Sequence, residues 1–513
     1  MPCSIVVPGA RGRSRSASTR VALLRDAPAL VGPRVRPSDL CAWRTAAAKL
    51  LIPLSLVALL SHPASAETID AALARAYEGN PQLNAQRAIV RQNDEGVAQA
   101  MSGYRPTLSA TASVGKQYTN ITETFPPLPG AAGPFASGFS FTDKGYTAPT
   151  SVGVAGSQTL FNGQQTANKV RAAESQVSAA RETLRVMEQS VLLAAATAYM
   201  DVSRDAANLE VQQNNVRVLQ RTLQDTRNRF TAGQVTTTDV AQAEAQLAAG
   251  EATLHAAEST VMTTRANYRR IIGIEPAHLS PASAVDRLSP PTLAGAIAFG
   301  NAHNPSITAA LYGVDVAQLQ VKIAEGALWP TLALQGSVQQ QTFSNILTPN
   351  LFLGTAQLSL TVPLYQGGAE YSAIRLDKEN VGQQRLNVDQ ARDQTRANVV
   401  QAWGQLQAAK AQIEATIRQN DAAERALKSL RNEALAGQRT TLDVLNGEQA
   451  LVNARVALIV AQHDRVVASY SLLASVGRLS AEALGLPVTI YDPSVHYQQV
   501  RDAWFGVRTP GGR

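Results

Sequence analysis

The chain repeats itself, and each copy contains a proline-free stretch far longer than an ordinary helix. The Asn-Pro pair at 80–81 aligns with the pair at 304–305, a shift of 224 residues. The Ala-Gly-Gln triplets at 232–234 and 436–438 align at a shift of 204, so the first copy carries 20 extra residues between these points. Self-similarity at a fixed offset indicates one structural unit that is built twice.

The proline-free stretches are residues 164–231 and 368–435. Each predicts a single helix of about 100 Å, because an α-helix rises about 1.5 Å per residue and proline breaks a helix interior. The extra residues of the first copy include a Pro- and Gly-rich stretch at 125–134, which predicts a loop. The other predicted elements are an opening helix at 68–101 and 305–327, strands at 106–118, 148–160, 330–343 and 351–364, and a returning helix at 237–272 and 441–476.

The strand segments alternate apolar with small or polar residues, as in LSLTV at 358–362. No uninterrupted apolar stretch after residue 66 approaches the length of a transmembrane helix, so this chain is either soluble or crosses a membrane through strands. Four strands cannot close a barrel, which needs about eight or more. Three chains would supply twelve strands, although multiples of two or four chains also satisfy this count. Given membrane insertion, closure therefore predicts a homo-oligomer, and we favour a trimer.

Residues 1–66 are predicted to be a leader with a signal peptide that is cleaved after Ala66. The prefix 1–43 is compatible with an extended n-region, a transit peptide or a misplaced start codon. The leader holds eight Arg, one Lys and two Asp, which accounts for the whole net charge of +7 and leaves 37 basic and 37 acidic residues elsewhere. A neutral mature chain predicts no nucleic-acid partner. Because Cys3 and Cys41 also precede the cleavage site, we expect no disulfide and no lipidated cysteine.

The sequence contains no recognisable enzyme motif. It has no HExxH, no phosphate-binding loop and no GxSxG elbow. We therefore predict no catalytic residue, no cofactor and no metal. The histidines after residue 66 are scattered without ligand spacing: His255, His278, His303, His463 and His496.

Taken together, these segments resemble the TolC-like family of outer-membrane efflux and secretion channels. The resemblance covers essentially all of residues 67–490. It is carried by the repeated Asn-Pro pair and by two strand entries, YRPTL at 104–108 and LWPTL at 328–332. It is also carried by two hairpin tips, RFTAGQVTTTDV at 229–240 and ALAGQRTTLDV at 434–444. We divide the chain into the leader at 1–66, a first repeat at 67–289, a second repeat at 290–480 and a C-terminal tail at 481–513.

The resemblance implies a non-enzymatic exit duct in the outer membrane of a Gram-negative cell. The implied fold is an α+β membrane protein in which four strands per chain contribute to a trimeric twelve-stranded β-barrel, continuous with a long α-helical barrel in the periplasm. The implied partners are outer-membrane lipid, a periplasmic adaptor protein and an inner-membrane transporter of the RND or ABC type. The implied periplasmic end closes like an iris.

In that family, polar contacts near the second hairpin hold the iris shut. By position in the motifs, the resemblance assigns the gate to Thr238, Asp239, Arg439, Asp443 and Asn446. Arg439 is expected to pair with Thr238 or Asp239 of a neighbouring helix, and opening would break this contact. Asn446 departs from the family pattern, because it stands where the family has a second inward carboxylate. A single ring of aspartates at Asp443 is therefore expected.

The two aspartates also have a purely structural interpretation. Thr236 precedes Asp239 by three residues, and Thr440 precedes Asp443 by three, which is the spacing of a capping box at a helix start. An acidic residue in the first turn is also favoured by the helix dipole. A capping aspartate can face a lumen, so the two roles are compatible.

The tips themselves carry Gly233-Gln234 and Gly437-Gln438. These four residues are expected to contact the adaptor. For the two glycines, a left-handed helix C-cap is the interpretation we favour.

Two other classes of protein compete with a duct. A periplasmic adaptor would carry lipoyl and β-barrel segments and usually one helical hairpin. A coiled-coil stalk would show sustained heptads without membrane strands. Neither explains two matched strand pairs behind a signal peptide. Among ducts, drug efflux and type I secretion remain open, and metal efflux is least favoured because no Met/His cluster is present.

Overall fold

The computed structural model describes residues 67–511 except 131, 134, 135 and 343–349. The predicted leader, its cleavage site and both cysteines lie outside the described residues. The helices are α1 (Ile69–Gly79), α2 (Pro81–Met101), α3 (Gln165–Thr231), α4 (Thr237–Ile272), α5 (Leu293–His303), α6 (Pro305–Gly326), α7 (Ala369–Leu435), α8 (Thr441–Ser475), α9 (Ala481–Leu484) and α10 (Pro493–Val500). The strands are β1 (Thr107–Val114), β2 (Gln117–Phe125), β3 (Phe139–Thr147), β4 (Thr150–Asn162), β5 (Thr331–Thr342) and β6 (Asn350–Thr361).

The helices α3 and α7 are unbroken over 67 residues each, as the absence of proline predicted. A residue with left-handed backbone precedes each of them, Gln164 with φ 62° and Gly368 with φ 87°. The returning helices α4 and α8 have 36 and 35 residues and pack along the half of α3 and α7 that is farther from the strands. The predicted ends of these four helices are correct to within about one residue.

We predicted one continuous opening helix at 68–101. The structure instead has two helices, α1 and α2, which are separated at Asn80. Pro81 cannot donate a backbone hydrogen bond, so it stands at the first position of α2 rather than inside a helix. The Asn80 side chain accepts from the amide of Gln82 at 2.9 Å and caps the new helix. In the second half of the chain α5 precedes α6 in the same way, with Asn304 as the cap.

Four strands form an antiparallel sheet in the order β1-β4-β5-β6. The Pro- and Gly-rich loop that we predicted at 125–134 lies between two strands that we did not predict, β2 and β3, which form a second antiparallel ladder. The turn between them contains Pro126, Pro127 and Pro129, so the turn signals were read correctly and the flanking strands were missed. The first hairpin of the chain is therefore much longer than the hairpin of β5 and β6.

The helices are arranged in the same order as the strands that they adjoin. Next to the sheet, α2 packs against α3, α3 against α6 and α6 against α7. These helices connect to β1, β4, β5 and β6 respectively, so no connection crosses another. Toward the hairpin tips, α4 packs against α3, α3 against α8 and α8 against α7.

The largest apolar core lies midway along α3. Leu192, Tyr199 and Leu473 are completely buried there, together with residues of α1 and α4. The Tyr199 hydroxyl lies 2.7 Å from the carbonyls of both Glu67 and Ser280, which fixes the start of α1 against the segment after α4. A small cluster of Leu219, Leu223, Ala243 and Leu445 is nearest to the tips. Among the described helices, none is long and apolar enough to span a bilayer.

Candidate functional site: the hairpin tips and the two faces of the sheet

Both hairpin tips are built from the same helix ending. Gly233 has φ 72° and Gly437 has φ 76°, a backbone region that glycine adopts without steric cost. The amide of Gln234 donates to the Arg229 carbonyl at 2.9 Å, and the amide of Gly233 donates to the Phe230 carbonyl at 2.9 Å. The second tip repeats both hydrogen bonds. This is a Schellman motif, so the predicted left-handed C-caps are confirmed.

The next helix of each tip begins with a capping box. Thr236 accepts from the amide of Asp239, and the Asp239 carboxylate accepts from the amide of Thr236 at 2.9 Å. Thr440 and Asp443 form the same pair of bonds, with the corresponding distance 3.0 Å. The backbone hydrogen bond from Thr440 lowers the pKa of Asp443, and that from Thr236 lowers the pKa of Asp239. Both acids are therefore structural caps, whatever else they do.

The remaining predicted gate residues are exposed at the tips. Arg439 Nε donates to Glu433 Oε2 at 3.0 Å within its own hairpin, and this contact raises the Arg439 pKa. Thus its partner within the chain is not Thr238 or Asp239, and a pairing between chains stays a prediction. Thr238 lies beside Asp239 in the first turn of α4, and Asn446 is exposed three residues after Asp443 on α8.

The four-stranded sheet has one apolar and one polar face, and both are accessible. In the ladders between β1, β4, β5 and β6, each even-numbered residue pairs with an even-numbered residue, up to an irregularity at Thr159. The even-numbered face carries large exposed apolar side chains: Leu108, Val152, Val154, Leu334, Val338, Leu358 and Leu360. The odd-numbered face carries hydrogen-bonded polar pairs: Ser113 with Ser151, Ser337 with Thr355, and Gln335 with Gln357. Such alternation is typical of a sheet between lipid and water.

One charged cluster escaped the sequence analysis. His463 on α8 is almost fully buried, with Nε2 3.0 Å from Asp201 on α3 and Nδ1 2.9 Å from Asp464. Arg204 binds both Asp201 and Asp205. Burial alone would lower the pKa of His463, but its hydrogen bonds with the two carboxylates outweigh this effect and raise the pKa. A neutral imidazole has only one N–H, so only the protonated ring satisfies both contacts.

This cluster could not have been found from spacing, because His463 and Asp201 are separated by most of the second repeat. It joins the long helix of one hairpin to the short helix of the other. Among residues 67–511, outside the gaps noted above, no group of three or more His, Cys, Asp or Glu side chains is arranged to hold a metal ion.

A family model described as "Outer membrane efflux protein" matches residues 72–274 and 301–478. The outer membrane efflux protein BepC of Brucella suis is 40% identical over 474 residues, which cover 92% of this chain and 98% of that protein. The outer membrane protein TolC of Vibrio cholerae is 26% identical, with 85% of this chain and 97% of that protein covered. The alkaline protease secretion protein AprF of Pseudomonas aeruginosa is 24% identical, with 77% and 81% covered.

Solved structures show the same fold at lower sequence identity. The CmeC outer membrane channel of Campylobacter jejuni matches with a TM-score of 0.69 and 15% identity, over 85% of this chain and 89% of that chain. The outer membrane protein VceC of Vibrio cholerae matches with a TM-score of 0.65 and 20% identity, over 80% of this chain and 96% of that chain.

Proposed function

Because this chain belongs to the outer membrane efflux protein family, we propose that it is the outer-membrane exit duct of a tripartite efflux or type I secretion system. The resemblance predicted from the repeated motifs is confirmed by these relatives. The protein lies in the outer membrane and extends into the periplasm. It passively conducts substrates that an inner-membrane transporter delivers, and the family consists of channel proteins rather than enzymes.

The observation that carries this proposal is the sheet with one apolar and one polar exposed face. In the proposed assembly, lipid covers the apolar face and the polar face lines an aqueous lumen. The strands β1 and β6 are the edges of this sheet. Pairing β6 of one copy with β1 of the next closes twelve strands in three copies. Since the helices follow the strand order, the same closure would continue into an α-helical barrel of three duplicated chains.

The names of the relatives suggest which cargo and partners to expect. BepC is named an efflux protein, and AprF is named a protease secretion protein. We therefore propose that this duct carries drugs, other small molecules or proteins. A periplasmic adaptor would contact the tips at Gly233-Gln234 and Gly437-Gln438. The transporter beneath it would be of the RND or ABC type.

The tips would also hold the gate. In the proposed trimer, Asp443 of three copies forms an acidic ring, and Arg439 exchanges its bond with Glu433 for one with Thr238 or Asp239 of a neighbouring hairpin. Asn446 would extend the polar lining by one turn of α8. Support comes from the exposure of Thr238, Arg439 and Asn446 near the hairpin tips.

The assembly is tested by the native mass of the detergent-solubilised protein taken from purified outer membranes. We expect three chains per particle. A soluble monomer, or a monomer in the inner membrane, would overturn the closure argument.

The gate is tested by single-channel conductance of the same material in planar bilayers. We expect Arg439→Gln and Asp443→Asn to raise the conductance, because each removes a charged group from the contacts proposed to hold the gate shut. Asn at position 443 still offers an oxygen that can accept the capping hydrogen bond from Thr440. Lys428→Gln, an exposed change higher on α7, is the control. Equal conductance of all variants and the wild type would remove these two residues from the gate.

A further inference from the structure

The strands β2 and β3 prolong the first hairpin of the sheet without a change of register. In the β1–β4 and β2–β3 ladders, the residue numbers of the two paired residues always add up to the same total, so the register is shared. Between the ladders, the amide of Gly115 donates to the carbonyl of Pro149 at 2.9 Å. Because side chains alternate between faces with a period of two, residues of one parity stay on one face over the whole hairpin.

The chemical character of the two faces exchanges near Lys116. Below it, the even-numbered residues are apolar and the odd-numbered residues form the polar hydrogen-bonded pairs. Above it, the hydrogen-bonded pairs are even-numbered, Thr122 with Thr142 at 3.0 Å and Thr124 with Ser140 at 3.2 Å. The odd-numbered residues above it include four large apolar side chains: Ile121, Phe125, Phe139 and Phe141.

The charges of the extended hairpin separate in the same way. Glu123 and Asp143 are on the odd-numbered face, and Lys116 and Lys144 are on the even-numbered face. The face that lines the lumen below Lys116 thus becomes aromatic and acidic above it. The face that meets lipid becomes polar and basic.

Lipid does not explain the aromatic face. Strands of about 9–11 residues cross the hydrocarbon region when tilted by about 45°, and β4 alone has 13 residues. At the start of the extension, the rings of Tyr118 and Tyr146 lie 5.0 Å apart on the even-numbered face, where an interfacial aromatic girdle would stand. The hairpin beyond Tyr118 therefore lies outside the hydrocarbon region.

The large apolar side chains of this face remain accessible, and two of its rings hold each other in place. Ile121, Phe125 and Phe141 are each 45% exposed. The rings of Phe125 and Phe139 stack with centroids 4.9 Å apart. At the neighbouring rim, the odd-numbered face of β6 also begins with two exposed leucines, Leu351 and Leu353, while Phe352 is exposed on the even-numbered face.

This inference rests on the proposed trimeric barrel, in which the odd-numbered face surrounds the lumen. We propose that the odd-numbered face of the extended hairpin forms an aromatic and acidic constriction at the outer mouth, which limits conductance and disfavours anions. Three copies contribute one hairpin each around the axis. An apolar constriction is hard to wet, and a ring of carboxylates attracts cations and repels anions. The constriction therefore selects among cargoes at the exit, far from the periplasmic gate.

Conductance tests the aromatic part. The reference channel carries Asp443→Asn, which is expected to relieve the periplasmic gate. Adding Phe125→Ser with Phe141→Ser is expected to raise the conductance of this reference at least twofold in planar bilayers. The matched control Thr124→Ala with Thr142→Ala changes the opposite face at the same level and is expected to conduct like the reference. If the serine variant conducts no better than the reference, or if the control rises as much, the aromatic face does not line the pore.

The reversal potential in a KCl gradient tests the acidic part. Glu123→Gln with Asp143→Asn is expected to shift the reversal potential toward the equilibrium potential of chloride. Lys116→Gln with Lys144→Gln is expected to leave the reversal potential unchanged. These measurements are made with Asp443→Asn present throughout, so that the other end contributes no ring of charge. Absence of any channel activity in the Asp443→Asn protein would overturn the duct itself. Normal channels whose selectivity ignores Glu123 and Asp143 would overturn only the acidic constriction.

Discussion

The junction between the sheet and the long helices should tolerate a methyl group at one glycine and not at its counterpart. Gly163 follows β4 and Gly367 follows β6, and both have positive φ, 62° and 74°. A Cβ on Gly163 would lie 2.3 Å from the carbonyl oxygen of Gly326 and 2.7 Å from Cβ of Trp329. A Cβ on Gly367 would meet nothing within 4 Å. The two sites share the backbone strain and differ in the clash.

The expected costs follow from this difference. Alanine in the left-handed region costs about 1–2 kcal/mol, and this applies to both Gly163→Ala and Gly367→Ala. The clash adds about 1–3 kcal/mol at Gly163, because the nearest atom belongs to the backbone and cannot rotate away. We therefore expect a total of about 2–5 kcal/mol for Gly163→Ala. Gly367→Ala should stay at about 1–2 kcal/mol.

The assay is the half-life of the detergent-solubilised assembly at a fixed elevated temperature, because membrane assemblies often unfold irreversibly. If the junction opens before the rate-limiting step, an extra cost of about 1–3 kcal/mol shortens the half-life of Gly163→Ala by about 5- to 150-fold relative to Gly367→Ala. The yield of each variant in purified outer membranes provides a second measure. Equal half-lives and equal yields would refute the argument that close packing against Gly326 fixes this junction.

Three further predictions concern the helices. His463→Gln should loosen the contact between α3 and α8, and we expect faster hydrogen exchange there after correction for intrinsic rates. Because the pKa of His463 is raised, the stabilisation from this side chain is complete below about pH 6.5 and is lost as the pH rises through the raised pKa. The variant and the wild type should therefore exchange at the same rate at alkaline pH. A difference that grows with pH would contradict this. Tyr199→Phe should cost about 1–2 kcal/mol, since it removes a buried hydroxyl that lies between two carbonyls, and a half-life equal to that of the wild type would argue against it. Thr440→Ala should cost about 1 kcal/mol and raise exchange in the first turn of α8, whereas Thr441→Ala, which makes no cap, should leave the exchange of that turn nearly unchanged.

Local chemistry explains why much of the architecture could be predicted. Absence of proline between 164 and 231 leaves nothing to end the helix, and Gly233 followed by the Thr236–Asp239 spacing provides both an end and a new start. These signals act within a few residues of each other, so a single sequence displays them. The same reasoning applied to Asn80-Pro81 would have divided the opening helix, had the pair been considered as a cap as well as a repeat marker.

Features that depend on distant partners could not be predicted. His463 becomes a charged link only because the fold brings Asp201 beside it. The extended hairpin was missed because its prolines and glycines dominate the composition, while its strand pairing depends on partners on the far side of the turn. The gate residues show the remaining limit, since their proposed partners belong to other copies of the chain. A single chain reveals only their local caps.

The apolar core is thick in the middle of the helical region and thin near the hairpin tips. The thick cluster around Tyr199 lies midway along α3, whereas a small apolar cluster around Leu445 and a hydrogen bond from Gln246 to Gln449 join the hairpins near their tips. The hairpins are therefore held most firmly at the middle, and α4, with its 36 residues, extends about 54 Å from there to the tip. At this length, a rotation of α4 by about 10° about the core would displace its tip by about 9 Å, so the proposed gate would open by a movement that leaves the strands unchanged.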